Sequence, residues 1–294
     1  MRRREPAADG RGVSEVISFV LVFSLIAATV ALVYVSGVGG LESTRSAERV
    51  TNAERAFDVL QDNIADIHRE GAPSRATEVK VSDARMEYGE RTRITVRVEN
   101  VNDTNASVSN VSTVTSDPIV YAAGSGPKLV YSNGAVFRQD RGGTVLNSAP
   151  GLLFTDNGGE RTAIVPTIQT RQDGVDSTGS QRTILVRTIL ATQEVTISED
   201  DPSTLTGPDV NPDGSGNKEY NLTVRLSTAE ERRNVWLDYL NGEIPASQDI
   251  RDVDGDGDVT NDPACGAVDD TTVECSLAVD NVYSTVTRVD VTYG

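Results

Sequence analysis

The stretch RGVSEVISFVLVFSLIAATVALVYVSG, Arg11 to Gly37, decides how the rest of the chain is read. Val16 to Val35 is a run of twenty residues without a charge. At a rise of 1.5 Å per residue, a helix of that length reaches about 30 Å, the depth of a bilayer's hydrocarbon core. A cleaved secretory signal has an apolar region of only about 7–15 residues, followed by a small-x-small cut site. The run here is longer, and no clean cut site follows it. A retained membrane helix is therefore the expectation, ahead of a cleaved signal. Arg2, Arg3 and Arg4 precede the span, and the positive-inside rule then places the N-terminus in the cytoplasm and the bulk of the chain outside.

Outward from this run the helical pattern continues. After Gly37-Val38-Gly39-Gly40, apolar residues recur at Leu41, Ala47, Val50, Ala53, Phe57, Leu60, Ile64 and Ile67. Steps of mostly three and four mark one face of an amphipathic helix. Gly71 and Pro73 are stop signals, and the glycines at 37–40 offer a place for the helix to bend. The chain is thus divided into a basic leader (1–12), a transmembrane or filament-core helix (13–40), an amphipathic helix (41–72) and an outer head (73–294).

The segment resembles the N-terminus of haloarchaeal type IV pilin-like proteins. The matching residues are Arg11-Gly12, then Val13-Ser14-Glu15-Val16-Ile17, where Glu15 stands in the place of a common proline. The resemblance implies cutting between Gly12 and Val13 by prepilin peptidase, packing with other pilin-like subunits, and a globular C-terminal head. It further implies a subunit contact for Glu15; a charge held at the membrane interface is the other reading of that residue. YSNGAVFRQ, Tyr131 to Gln139, and the helix after residue 227 are similar to a group of haloarchaeal secreted pilin-like proteins.

The composition is strongly acidic, with 44 Asp and Glu against 27 Lys and Arg and a net charge of −17. Lys80, Lys128 and Lys218 are the only lysines. Dense carboxylates with few lysines suit the surface of an extreme halophile, where they keep a protein hydrated at high salt; an ordinary acidic extracellular domain is the alternative. The charge excludes nucleic acid as a partner, because that contact needs clustered Lys and Arg. His68 is the sole histidine, expected in a helix near the membrane. A Ser-His-Asp triad or a multi-histidine metal site has no material, and no carboxylate pair is marked for hydrolysis. The chain reads as a non-enzyme.

From about Glu78 the period changes to two. Arg93–Glu99 and Val282–Tyr293 alternate, as half-buried strands do. Asn133-Gly134 between Leu129–Tyr131 and Ala135–Phe137 is a type I′ hairpin signal. Asp156-Asn157-Gly158-Gly159 predicts a second hairpin, and Thr183–Ile189, Glu194–Ile197 and Tyr220–Leu226 read as further strands. Ser227-Thr228-Ala229-Glu230 has the form of a capping box; it opens a helix over 227–241 with Val235, Trp236, Tyr239 and Leu240 on its apolar face and Asn241-Gly242 at its end. Trp236 reads as a core plug. The fold class is α+β: a long N-terminal helix, then a mainly antiparallel β head with one additional helix, arranged as a sandwich or a meandering sheet.

Three motifs carry chemistry. Asp252, Asp254, Asp256 and Asp258 alternate around Gly257, in the acidic loop 252–262. They match the first half of a calcium loop, with Asp262 one place short of the closing ligand and Pro263 where that ligand belongs. A structural Ca2+ site and a solvated acidic loop both fit. Cys265 and Cys275 are the only cysteines, and outside the cytoplasm they are expected to form a disulfide. Asn102, Asn105, Asn110 and Asn221 head N-glycosylation sequons.

Two functions follow as expectations. One is a pilin-like structural or adhesive surface subunit, minor or pseudopilin-like given the size of its head. The other is an uncleaved single-pass anchor carrying an extracellular binding module of a halophilic archaeon.

Overall fold

The structure is a computed structural model that describes residues 11–81, 83–100, 109–124, 126–175, 177–178, 183–199, 220–248 and 263–294. It is α+β. Helix α1 spans Arg11–Glu70. Sixteen strands follow among the described residues: β1 Ser74–Lys80, β2 Arg85–Tyr88, β3 Thr92–Asn100, β4 Ser109–Ser116, β5 Ile119–Ala122, β6 Lys128–Ser132, β7 Ala135–Asp140, β8 Gly143–Ser148, β9 Leu153–Asn157, β10 Glu160–Gln172, β11 Ser177–Thr178, β12 Thr183–Glu199, β13 Tyr220–Ser227, β14 Cys265–Ala267, β15 Thr272–Val279 and β16 Asn281–Tyr293. Helix α2, Glu230–Glu243, lies between β13 and β14. The chain forms two compact units that divide between Arg49 and Val50.

In the first unit the helix passes through Gly37, Gly39 and Gly40 without a break, where the sequence offered a bend. Each glycine in a helix interior costs about 1 kcal/mol against alanine. Ala47, expected on the apolar stripe, is exposed.

The second unit begins with the remainder of α1. Ala53, Phe57, Leu60, Ile64 and Ile67 are buried at the predicted spacing, and fully burying a side chain of this size is worth about 1.5–3 kcal/mol. The helix stops at Glu70, where Gly71 adopts a positive φ of 68°, a conformation that glycine takes without the penalty a side chain would bring.

Among the described residues, three sheets surround two cores. The first has the order β1-β12-β16-β10-β9, the second β11-β2-β5-β6-β7-β8, and the third β14-β15-β13-β3-β4. Strands β5 and β6 are buried on both faces along most of their length, as is the first half of β7. On one face Ile119, Tyr121, Leu129, Tyr131 and Val136 share a core with Phe57, Leu60, Ile64 and Ile67 of α1. On the other, Val120, Val130 and Phe137 share a core with the third sheet and with Trp236 and Leu240 of α2. The long strands β10 and β16 serve both cores. Ala163, Val165 and Val282 belong to the second core, whereas Ile168, Val289 and Val291 belong to the first. The buried parity switches at paired positions, Thr167–Val286 and Ile168–Thr287. Side chains alternate faces along a strand, so one half of this sheet is covered on one side and the other half on the opposite side.

The Asn133-Gly134 hairpin joins β6 to β7 with positive φ at both residues, 48° and 81°, as a type I′ turn requires. The second hairpin turns at Gly158-Gly159, and β9 and β10 run to Asn157 and from Glu160. Two expectations are corrected. Thr183–Ile189 and Glu194–Ile197 are one strand, β12, with register shifts at Leu190/Thr192 and Val195/Ile197, because bulges interrupt alternation without ending pairing. The capping box does not form. Ser227 stays in β13 opposite Thr272 and Arg93, Ala229 is the N-cap without a side-chain hydrogen bond, and α2 continues past Asn241-Gly242 to Glu243. The Thr228 hydroxyl is engaged instead with Thr92 and with Nε of the buried Arg232.

Candidate functional site

The apolar segment is a site made by one helix. From Glu15 to Gly37 it is long and apolar enough to cross a membrane, and its residues are exposed. Phe19 and Phe23, four residues apart, stack at 6.2 Å. The Thr29 hydroxyl donates to the Ile26 carbonyl at 2.9 Å, which satisfies a polar group inside an apolar stretch. Every described position of the span is exposed, Glu15 included. Gly12 and Val13 lie in the first turn of α1, which begins at Arg11. The helix is one long apolar N-terminal element, consistent with a membrane anchor or a signal sequence.

The other half of α1 is fastened to the sheets from several sides. Arg138 Nη1 donates to Glu54 Oε1 at 2.7 Å and the Ser148 hydroxyl to Asp58 Oδ1 at 3.1 Å. Gln61 Nε2 donates to the carbonyls of Gly134 (2.6 Å) and Ala149 (2.9 Å). Asn63 Nδ2 donates to Thr77 Oγ1 at 2.9 Å, and Arg75 Nε to Asp66 Oδ2 at 3.2 Å. His68 Nδ1 shares a hydrogen bond of 2.7 Å with Thr287 Oγ1, and Gln193 Nε2 donates to the His68 carbonyl at 2.6 Å. His68 is therefore part of the packed β-rich unit. Burial, then the adjacent Arg69, hold its pKa below the ordinary value. Single-residue sequence patterns carry no signal for these contacts, since Gln61 and Asn63 differ from any surface amide only in what the fold brings to them.

A small cleft opens beside this half of the helix, lined by Gln61, His68, Arg69, Asn133, Gly151 and Pro166, with Tyr131 beneath. Asn133 Oδ1 accepts the Ile168 backbone N–H at 2.7 Å and fixes the hairpin against β10. Tyr131 is fully buried, and that burial pushes its hydroxyl far above the ordinary pKa.

Cys265 and Cys275 form a disulfide, directly opposite one another on β14 and β15. The Asn241 side chain braces it, with Oδ1 accepting the Cys265 N–H (2.9 Å) and Nδ2 donating to the Cys265 carbonyl (3.2 Å). Asn241 thus serves this edge strand and not the helix end. Asp252, Asp254, Asp256, Asp258 and Asp262, with Asn102 and Asn105, lie outside the described residues. Among the described residues, no three His, Cys, Asp or Glu side chains gather where they could hold a metal ion. Asn110 lies on β4 and Asn221 on β13.

The sequence pattern of DUF7289, a family of unknown function, matches residues 11–292, and the chain belongs to that family. No curated protein and no solved structure matches it.

Proposed function

We propose that this member of the DUF7289 family is a pilin-like surface subunit, held in the membrane by α1 and assembling with other pilin-like subunits through that helix. The reading takes the leader before Val13 to be removed by prepilin peptidase and the β-rich unit to lie outside the cell, in a halophilic archaeon. The observation that carries it is the contrast within α1. Its first half is apolar on every side and uncovered, and its second half is buried along one face and hydrogen-bonded to five strands. An apolar helix can meet lipid or the helices of neighbouring subunits by the same dispersion contacts.

The test is to shear filaments from the cell surface and identify their subunits by mass spectrometry. The reading expects this chain among them as a minor component, beside other pilin-like chains. Its presence only in the washed membrane, with no filament fraction, favours the second reading, an uncut single-pass anchor carrying an extracellular binding module.

A further inference from the structure

The cleft beside α1 has a volume of about 60 Å³. That is room for a few waters or one small ion, far below the roughly 300–1,000 Å³ of pockets that take organic ligands. None of its lining residues is Asp or Glu and one is Arg69, although acids outnumber Lys and Arg by 44 to 27 in the chain. Arg69 makes no hydrogen bond or ion pair among the described residues. Its Nη2 stands 3.5 Å from where a side chain at Gly151, on the cleft wall, would begin.

The neutral groups around Arg69 are mostly donors. Asn133 Oδ1 accepts the Ile168 N–H, and Asn133 Nδ2 has no acceptor among the described residues. His68 Nδ1 and Thr287 Oγ1 share one hydrogen bond. Thr287 is fully buried, so its hydroxyl proton needs that bond, because a buried donor without an acceptor costs about 1–3 kcal/mol. The hydroxyl therefore donates to Nδ1, and the neutral ring carries its proton at Nε2. The Tyr131 hydroxyl proton, beneath the cleft, also finds no acceptor among the described residues. The carbonyls of Gly134 and Ala149 already accept from Gln61 Nε2. Gln61 Oε1 is an acceptor on the same wall, outnumbered by these donors.

We propose that this cleft binds a small monovalent anion, of chloride's size and charge, held by the Arg69 guanidinium with the Asn133 amide and the His68 Nε2–H as neutral donors. One arginine without a carboxylate repels a cation, and it offsets one negative charge and not two, which favours a halide over sulfate. An anion there joins the end of α1 to the β6–β7 hairpin, and it stabilises the folded unit to which it binds. The proposal stands whether or not the chain enters a filament.

His68 is the only histidine, so its ring gives one set of imidazole signals. The experiment titrates the full chain in detergent micelles with sodium chloride against sodium gluconate, at constant sodium and ionic strength and at a pH above the ordinary histidine value of 6.5. The His68 ring is followed by nuclear magnetic resonance. Chloride should shift the ring nitrogen signals along a saturating curve, and gluconate, too large for the cleft, should not. Arg69→Gln should lose the saturating shift, while Arg75→Gln, which removes an arginine paired with Asp66 outside the cleft, should keep it. An equal shift in gluconate, a shift that never saturates, or one that survives Arg69→Gln overturns the proposal. Arg69 is exposed, and the denaturation midpoint without chloride checks that its replacement leaves the unit folded. If that midpoint falls, the chloride and gluconate titrations of the unaltered chain decide by themselves.

Discussion

Two stretches of one helix, Glu15–Gly37 and Ala53–Ile67, show what hydrophobicity means at different periods. In the first, Phe19 and Phe23 lie on one side of the helix and Leu25 and Leu32 on roughly the opposite side, and all four are 63–70% exposed. In the second, the apolar residues fall on one stripe, and Phe57, Leu60, Ile64 and Ile67 are completely covered. A helix that is apolar all round needs an apolar surrounding, while a striped helix needs only a core on one side. Total hydrophobicity would rank the first stretch as the better core element. The protein uses the second as its core element, because spacing and not content decides what a folded unit can bury.

That contrast fixes where substitutions should act. Phe57→Ala should destabilise the β-rich unit by about 3–5 kcal/mol, the usual cost of truncating a fully buried aromatic side chain. Phe23→Ala should leave the same denaturation curve unmoved, since Phe23 lies in the first unit and is 63% exposed. Equal effects in chemical denaturation followed by near-UV circular dichroism would break the comparison. Leu25→Arg should do the reverse. A charge at the middle of a membrane helix costs about 2.5–3.5 kcal/mol on insertion scales. Carbonate extraction should then release the chain from membranes while its β-rich unit keeps its denaturation midpoint.

A smaller effect sharpens the picture of the β-rich unit. The Cys265–Cys275 bridge closes a separation of 10 residues. Replacing both cysteines by alanine should cost about 2–3 kcal/mol for a loop of that size, measured by the same denaturation. The smallest effect is on pH dependence. His68 has its pKa lowered from 6.5 by burial, so the unfolded chain binds its proton more readily than the folded one. Stability is then full above about pH 6.5 and declines as pH falls through 6.5 toward the lower folded value. His68→Gln should flatten that part of the profile, measured as midpoint against pH, while a slope of opposite sign would contradict the packing against Thr287.

Much of this fold was readable from residues because local rules and tertiary structure agreed there. The stripe from Ala53 to Ile67, the Asn133-Gly134 turn and the strands β3, β13 and β16 all follow from period and turn chemistry. What escaped reading depends on partners. The parallel pairing of β10 with β16 is a choice of neighbour, and alternation reads the same whichever strand lies alongside. Ser227 has the right identity for a cap, but its place in the ladder opposite Thr272 keeps it in a strand. The bulges in β12 hid one long strand behind two short ones. Of the candidate site, the apolar run was legible because twenty uncharged residues need no context. The fastening of α1 through Gln61, Asn63 and His68 was not, because a polar residue on a helix reveals its partner only when the sheet is in place.

The central claim is that the helix from Val13 through Gly37 remains part of the finished protein, with lipid or neighbouring helices around it. The most direct test is the intact mass and N-terminal sequence of the chain extracted from native membranes. The account predicts a start at Val13 and a mass that includes the whole apolar segment. A mature chain that begins beyond Gly37, recovered free in the medium, would contradict it.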